Sequence, residues 1–323
     1  MPIQMLLDRL DLIGLALSAS FLVLLPLELW RRRRQGRLDR RSLKEMLASA
    51  SPLLPTLLIG PLVLAFIAGL YATAHMLTPL RIPTTWGTAA LALVLVDFCY
   101  YWDHRAGHRV RAYWAISHSV HHSSWQYDQT TAFRISFVDG FLSPWFYVPV
   151  VLIGFDPLLV GACFGLILAY QQWLHTETIG RLGWLDAIFN TPSNHRVHHA
   201  VQQQYLDRNY GAVLMLWDRM FGTYAREEET PVYGLTEQIG SAHPWRVHAA
   251  EAVGIHDLAD GEYLPTDTSL EVGIERQLNY LLDQVGCELG AIELRGGSLD
   301  LGGGVAIPLV GQHRPDSVAN LAF

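Results

Sequence analysis

The chain is poor in charge: 16% of its 323 residues are Asp, Glu, Lys or Arg, against about 25% in average soluble proteins. That shortage, with a mean hydropathy of +0.19, excludes a disordered chain and speaks against an ordinary soluble enzyme. Cysteine is scarce too. The three present, Cys99, Cys163 and Cys287, are scattered and form no CxxC, which removes a disulfide framework and a thiolate metal site. There is no excess of positive charge; the formal net charge of −7 gives no reason to expect nucleic acid as a partner. HExxH is missing, so a zinc protease is not indicated. The paired Glu-x-x-His of carboxylate-bridged bundles is missing as well.

Long apolar runs are present instead. A bilayer core needs about 20 helical residues. Leu12 to Leu27 carries no charge, with Glu28 and Trp30 at its end, and Met46 to Leu80 holds no Asp, Glu, Lys or Arg, with room for a span near Pro52 to Ala74. Ile82 to Val96 continues through Phe98, Tyr100, Tyr101 and Trp102, and Gly140 to Phe155 and Pro157 to Leu174 follow. The string Gly154-Phe155-Asp156-Pro157 reads as a turn between the last two, which are short enough to form a re-entrant hairpin. The expectation is an all-α integral membrane protein with four to five transmembrane helices. The region before the first run is not basic, since Arg9 is outweighed by Asp8 and Asp11, and the arginines follow the run, so it reads as a retained anchor and not a signal peptide.

The few charges are unevenly spread. Residues 1–135 hold 14 basic and 8 acidic side chains, and residues 236–323 hold 4 and 13. Arg31, Arg32, Arg33, Arg34, Arg37, Arg40, Arg41 and Lys44 follow the first run, which places that end in the cytoplasm. Alternating the spans puts residues 103–135 and everything after His175 on the same side, where Arg105, Arg109, Arg111, Arg134, Arg181 and Arg196 agree with it. A boundary is expected at 235/236, between a membrane-embedded domain (1–235) and an acidic C-terminal extension (236–323). In the extension, Glu271 to Val285 has the spacing of an amphipathic helix, and glycine clusters punctuate a strand pair around Ala291–Leu294 and Val305–Val310.

Histidine is the residue in excess. Nine of the 14 fall between positions 104 and 199. His104 and His108 form HxxxH; His118, His121 and His122 form HxxHH; His175 stands alone; His195, His198 and His199 form a second HxxHH. Positions three and four apart share a helix face, so His104 and His108 make a two-pronged ligand, and each triplet is expected to converge as a unit of three. A histidine-rich surface or a pH sensor would not account for groups placed at the ends of apolar runs. Nine imidazoles exceed the needs of one ion, so two ions with about four ligands each are expected, in a helical cap at the cytoplasmic membrane boundary. Imidazole suits iron, zinc and copper alike. Asp97 shares a helical stripe with Tyr101, His104 and His108 and is a candidate acceptor for an imidazole N–H. Asp207, Asn209 and Asp218 are further candidates for that role. The aromatics Trp102, Trp114, Trp125, Phe146, Trp173 and Trp217 are candidates for lining a lipid path, with Trp102, Trp125 and Trp173 nearest the histidine strings.

The stretches DFCYYWDHRAGH (97–108), HSVHHSS (118–124), WLHTETIGRLGW (173–184), NTPSNHRVHHA (190–200), DRNYG (207–211) and LWDRMFGTY (216–224) resemble the fatty acid hydroxylase / sterol desaturase superfamily of histidine-box membrane enzymes. Within it they are most similar to the bacterial sterol desaturase-like group and the alkylglycerol monooxygenases. The resemblance spans roughly residues 86–235. It implies a non-haem di-iron centre (two iron ions), molecular oxygen as co-substrate, and hydroxylation or desaturation of a lipid C–H bond. By carry-over the ligands are His104, His108, His118, His121, His122, His195, His198 and His199, with His175 at the family's further position. It also implies a lipid substrate, an external electron donor (a reductase or small redox protein) and a multi-pass setting such as a bacterial inner membrane. Three features depart from the family pattern. Asn194 stands where many relatives have a further histidine. Trp125 and Gln126 stand where an acidic residue accompanies pterin dependence, so no pterin is carried over. The tail after about residue 236 matches nothing recognisable. Two rival readings follow from the histidines alone: a metal transporter or storage protein, and a zinc-dependent lipid hydrolase with Glu177 as its general base.

Overall fold

In the computed structural model the described residues are 3–235 and the strand residues 293–295, 298–300 and 306–308. The chain separates into two units, Met1–Leu258 and Ala259–Phe323.

The first unit is helical. α1 (Ile3–Ser18) runs into α2 (Ser20–Arg34), and α3 (Arg40–Ala50) leads into α4 (Leu53–Leu77). Asp39 caps α3 by accepting from the Ser42 N–H, and the four arginines of the last turn of α2 complement the negative end of its dipole. α5 (Trp86–Arg109) opens with a capping box between Thr85 and Thr88. Short pieces follow: α6 (Arg111–Tyr113), a π-helical turn over Trp114–His118, α7 (Ser119–His122), a 3₁₀ turn over Gln129–Phe133, α8 (Asp139–Leu142), a 3₁₀ turn over Ser143–Tyr147, and α9 (Val148–Leu152). α10 (Pro157–Gln171) is capped by Asp156 with Pro157 at its first position. α11 (Pro192–His198) and α12 (Leu216–Met220) close the unit.

Among the described residues, three stretches are long and apolar enough to cross a membrane: Ile3–Arg34, Arg40–Leu77 and Pro157–Leu174. The fourth apolar run forms no long helix. Pro144 and Pro149 each sit at the start of a new short helix, because proline removes a helical donor and clashes with the preceding turn. The expected turn at 154–157 is present. Gly154 has φ +108, and a Cβ there would lie 2.9 Å from the Leu80 carbonyl carbon. Its own carbonyl accepts from Ile82 N at 2.8 Å, which fixes the α4–α5 connection against the turn.

α10 packs along α1 and α5, and α4 against α9. Their shared core holds Leu6, Tyr71, Ala92, Val96, Tyr147 and Ile167. The outward faces of α1, α2 and α4 remain apolar, with Leu22 and Leu57 73% exposed and Leu58 74%. An uncovered apolar belt of this extent marks a membrane-facing surface. The polar part of the chain gathers at one end of these helices and carries the histidines.

Of the second unit, three short antiparallel strands are described, β1 (Glu293–Arg295), β2 (Ser298–Asp300) and β3 (Ala306–Pro308), in the order β1-β2-β3. Arg295 pairs with Ser298, and Leu299 with Ile307. The two expected strands thus gain a third between them. The expected helix over Glu271–Val285 lies outside the described residues, as does the 235/236 boundary.

Candidate metal centre

Nine imidazoles meet in two groups. His104, His108, His118, His122 and His198 form one cluster, and His121, His175, His195 and His199 the other; within each, one ring nitrogen per residue lies within 4.8 Å of all the rest. The clusters touch: the rings of His122 and His199 stack at a centroid distance of 4.3 Å.

The triplets do not converge as units of three, as the spacing suggested. Each is split. His118 and His122 go to the first cluster while His121 crosses to the second; His195 and His199 go to the second while His198 crosses to the first. The i, i+4 pairs (104/108, 118/122, 195/199) stay together in all three cases. On a helix of 3.6 residues per turn the i+3 residue is rotated about 100° from its i+4 neighbour, and two centres side by side use that divergence. Each HxxHH therefore serves both centres.

The ring orientations are set by backbone carbonyls. His104 Nδ1–H donates to Tyr210 O (2.9 Å), His198 Nδ1–H to Arg208 O (2.9 Å), His175 Nδ1–H to Gln171 O (3.1 Å) and His121 Nδ1–H to Arg134 O (3.3 Å). A carbonyl can only accept, so in each ring the proton sits on Nδ1 and Nε2 presents a lone pair. Burial lowers the pKa of His118, His121, His122, His195, His198 and His199 well below the ordinary value of 6.5, and that of His175 to about 3. These rings are neutral.

A cation fits this donor set. His121 Nε2 and His175 Nε2 face each other at 3.3 Å, yet both protons are committed to carbonyls on the far side. Two lone pairs at that separation repel unless a positive charge lies between them. Facing Nε2 atoms recur at 3.1 Å for His104–His118, His122–His198 and His175–His195. Neighbouring donors around an ion with bonds of about 2.1 Å stand about 3.0–3.4 Å apart. His108 Nε2, His199 Nε2 and His195 Nδ1 are buried with no hydrogen-bond partner, and a buried orphan costs about 1–3 kcal/mol. Coordination would use the two unpaired Nε2 atoms.

The expected acceptors behind the ligands are placed otherwise. Asp97 accepts from Val213 N, Leu214 N and Trp217 Nε1 at 2.9, 3.3 and 2.8 Å; it moors the 213–217 segment to α5 and touches no imidazole. Asp207 pairs with Arg109 and accepts from Tyr210 Oη. Asn209 bonds Asn194 O, Ala225 O and Ala225 N. Yet Asp207 and Asn209 are the two non-glycine residues with positive φ among those described, +59 and +57. Each of these left-handed residues precedes one of the orienting carbonyls, Arg208 O on His198 and Tyr210 O on His104. Their contribution is to backbone direction, which the short polar side chains of Asp and Asn tolerate best. Asp218 locks the same turn by accepting from Tyr210 N and Gly211 N, and a Cβ on Gly211 would lie 2.6 Å from Leu214 O. Asn194 donates to Asp186 O and Phe189 O and joins neither cluster.

Two cavities reach the histidines. A large one of about 1130 Å³ runs between α1, α4, α5 and α10 and ends on His104, His118, His121 and His175, touching both clusters. Its wall is mainly apolar, with a polar patch of Asp103, Tyr113, Ser117, Asp139 and Ser143 near the histidines. A smaller one of about 340 Å³ reaches His108, His122, His198 and His199 from the other side, past Arg109, Arg111 and Trp114. The expected tryptophans do not line the large cavity. Trp102 is 38% exposed and packs on Phe221, Trp125 is 39% exposed under Arg41, and Trp173 meets Tyr170 edge-on. The aromatic part of the wall comes instead from phenylalanines and tyrosines, among them Tyr71, Tyr100, Phe133, Phe137 and Phe164, between glycines, alanines and aliphatic residues. Glu177 pairs with Arg37 at 3.7 Å instead of facing the clusters, which removes the base that a zinc hydrolase would need.

Sequence reasoning missed the buried ions around the centre. Arg134 pairs with Glu45 at 2.7 Å. Arg196 grips Glu227 through two bonds of 2.8 Å and donates to Thr176 O and Ile179 O. No spacing signal reveals partners this far apart in the chain.

Residues 89–223, which contain all nine histidines, match the family model described as fatty acid hydroxylase. Over this segment the chain is similar to the fatty acid hydroxylase family. The chain is 44% identical over 171 residues to the alkylglycerol monooxygenase of Xenopus tropicalis, covering 53% of this chain and 37% of that one. It is 34% identical over 147 residues to the ornithine lipid hydroxylase of Rhizobium tropici (44% of each chain), and 27% identical over 184 residues to a probable Delta(7)-sterol 5(6)-desaturase of Neurospora crassa (55% and 50%). The alignments span between about a third and half of the relatives' length. No solved structure matches the chain.

Proposed function

We propose that this protein is a membrane-bound non-haem di-iron oxygenase that hydroxylates, or desaturates, a C–H bond of a lipid. His104, His108, His118, His122 and His198 would hold one iron, and His121, His175, His195 and His199 the other. The observation that carries this reading is the pair of touching clusters, built from neutral imidazoles with facing lone pairs, at the blind end of a large apolar cavity. The irons would supply what no side chain can, the reductive activation of molecular oxygen for attack on an unactivated C–H.

The protein's own part is placement. The carbonyls of Gln171, Arg134, Arg208 and Tyr210 keep four rings in the donor tautomer. The cavity admits an apolar chain from the bilayer and excludes water along most of its length. Its polar patch stops such a chain beside His104 and His118. Names of relatives that act on alkylglycerol, ornithine lipid and sterol support a lipid substrate. α5 is read as a further crossing, and the short helices over 139–152 as completing a hairpin with α10, giving four to five membrane passages. The arginines that end and follow α2 support a cytoplasmic position for the metal centre. Electrons would come from an external donor, with the smaller cavity as the more polar approach.

The test is direct. Purified protein loaded with iron is expected to bind about two irons per chain and to consume oxygen when given a reductant and membrane lipid. Lipid hydrolysis with zinc and no oxygen uptake would overturn the proposal.

A further inference from the structure

The two clusters differ in what holds them, and the difference reaches outside the matched segment. The first cluster takes its ring-orienting carbonyls from Arg208 and Tyr210, inside residues 89–223. The second leans on two carboxylates from the N-terminal helices. Glu28 on α2 is 3% exposed and Glu45 on α3 is 4% exposed. Both point into the protein.

Glu28 brackets His175. Its Oε1 accepts from Thr176 Oγ1 at 2.8 Å and its Oε2 from Gln129 N at 3.0 Å. The Gln129 side chain in turn donates to His175 O at 2.8 Å. Glu45 acts on the opposite ring. It pairs with Arg134 at 2.7 Å and accepts from Ser124 Oγ at 3.0 Å, while Arg134 Nε donates to Ser123 Oγ at 2.9 Å. The backbone carbonyl of the same Arg134 receives the His121 Nδ1 proton. His121 and His175 face each other through Nε2 in the second cluster, and His175 faces His195 as well. His121 and His175 are thus each fixed through one intermediary by one N-terminal carboxylate. Arg32, also on α2, reinforces the frame through Asp128 (3.3 Å) and Tyr127 O (3.1 Å).

We infer that Glu28 and Glu45 are positioning residues for the second metal position (His121, His175, His195, His199) and leave the first largely untouched. The inference rests on the two-ion reading above. Its physical basis is that a ligand ring loses affinity when the groups orienting it are removed, commonly 10- to 100-fold. Here those groups serve one cluster of the two.

The experiment is anaerobic titration of the full chain in detergent with ferrous iron alone, counting bound iron and following the spectrum of each site. The wild type is expected to bind two. Glu28→Ala and Glu45→Ala are each expected to weaken one of the two sites by about 10- to 100-fold and to leave the other at its wild-type affinity. Glu28→Gln is expected to restore both sites, since an amide oxygen can still accept from Gln129 N while its NH₂ donates to the Thr176 hydroxyl. If Glu45→Ala does not fold, Glu45→Gln, which keeps the volume but removes the ion pair with Arg134, carries the same expectation. Two sites of unchanged affinity in both alanine variants, or equal loss of both sites in a variant of native helix content, overturns the inference. A wild type that binds fewer than two irons overturns the di-iron reading itself.

Discussion

The two histidine clusters are neighbours with different foundations. The first is oriented locally by a turn over 207–211, in which two left-handed residues aim the alternate carbonyls of Arg208 and Tyr210 and Asp218 holds the loop shut. The second is oriented at a distance by buried charges on α2 and α3. A local device is written into a short string and travels with it. A distant one depends on the packing of helices that carry no histidine, and so ties the metal centre to the membrane-facing part of the chain.

Variants can break that contrast from either side. The largest effect is expected from the ligands. His198→Ala should empty the first cluster and His195→Ala the second, each lowering activity to less than about a hundredth of wild type. Metal analysis should show one iron lost in each case and the other retained. Loss of neither iron would contradict the division of the clusters.

Asn209→Ala probes the local turn. It removes three hydrogen bonds at a buried position and places alanine at φ +57. A destabilisation of about 2–4 kcal/mol is expected, read from denaturant unfolding. Asp207→Gly is the sharpening control. Glycine accepts the positive φ, so the Tyr210 carbonyl should stay in place and both irons should remain, whereas Asp207→Val should weaken the first site alone.

The cavity supplies a variant that leaves both clusters intact. Gly161 and Gly165 line it from α10, and a Cβ at either would meet nothing within 4 Å. Gly161→Phe is expected to keep two irons while reducing turnover of long-chain lipid more than that of a shorter one. Equal turnover of both would move the lipid path elsewhere.

Acid should act on the metal-free protein more gradually. Its buried imidazoles have pKa values below the 6.5 of an exposed histidine, with His175 near 3. Below about pH 6.5 the unfolded chain takes up protons that the folded one refuses, so this contribution to stability is complete above that pH and declines as pH falls. Bound metal should move the decline to lower pH. An apo protein equally stable at pH 7 and pH 5 would contradict the burial of neutral rings.

Much of the centre was legible in the sequence because histidine spacing on a helix is a geometric statement. The i, i+4 pairs came together as their spacing required. The crossing over of His121 and His198 was not legible, since a single helix face was taken to serve a single ion. The roles of Asp97, Asp207 and Asn209 were misjudged for a related reason. A carboxylate one stripe away from histidines looks like their acceptor, but backbone carbonyls took that place and the side chains shaped the backbone instead. The tryptophans were judged by their hydrophobicity, while the cavity is lined by other aromatics, Phe133, Phe137 and Phe164 among them, with glycine, alanine and aliphatic residues between. Among the spans, the apolar run over 140–155 concealed two prolines that divide it into short helices. Glu28, Glu45 and Arg134 left no trace in any local pattern, because these partners lie 79 to 148 positions away.

The central claim is that nine imidazoles hold two ions side by side. It is tested most directly by counting metal in the purified, iron-loaded chain and asking whether the two ions are magnetically coupled. The account predicts two irons per chain in a coupled pair with imidazole nitrogen ligands. A single iron, or two that show no interaction, would contradict it.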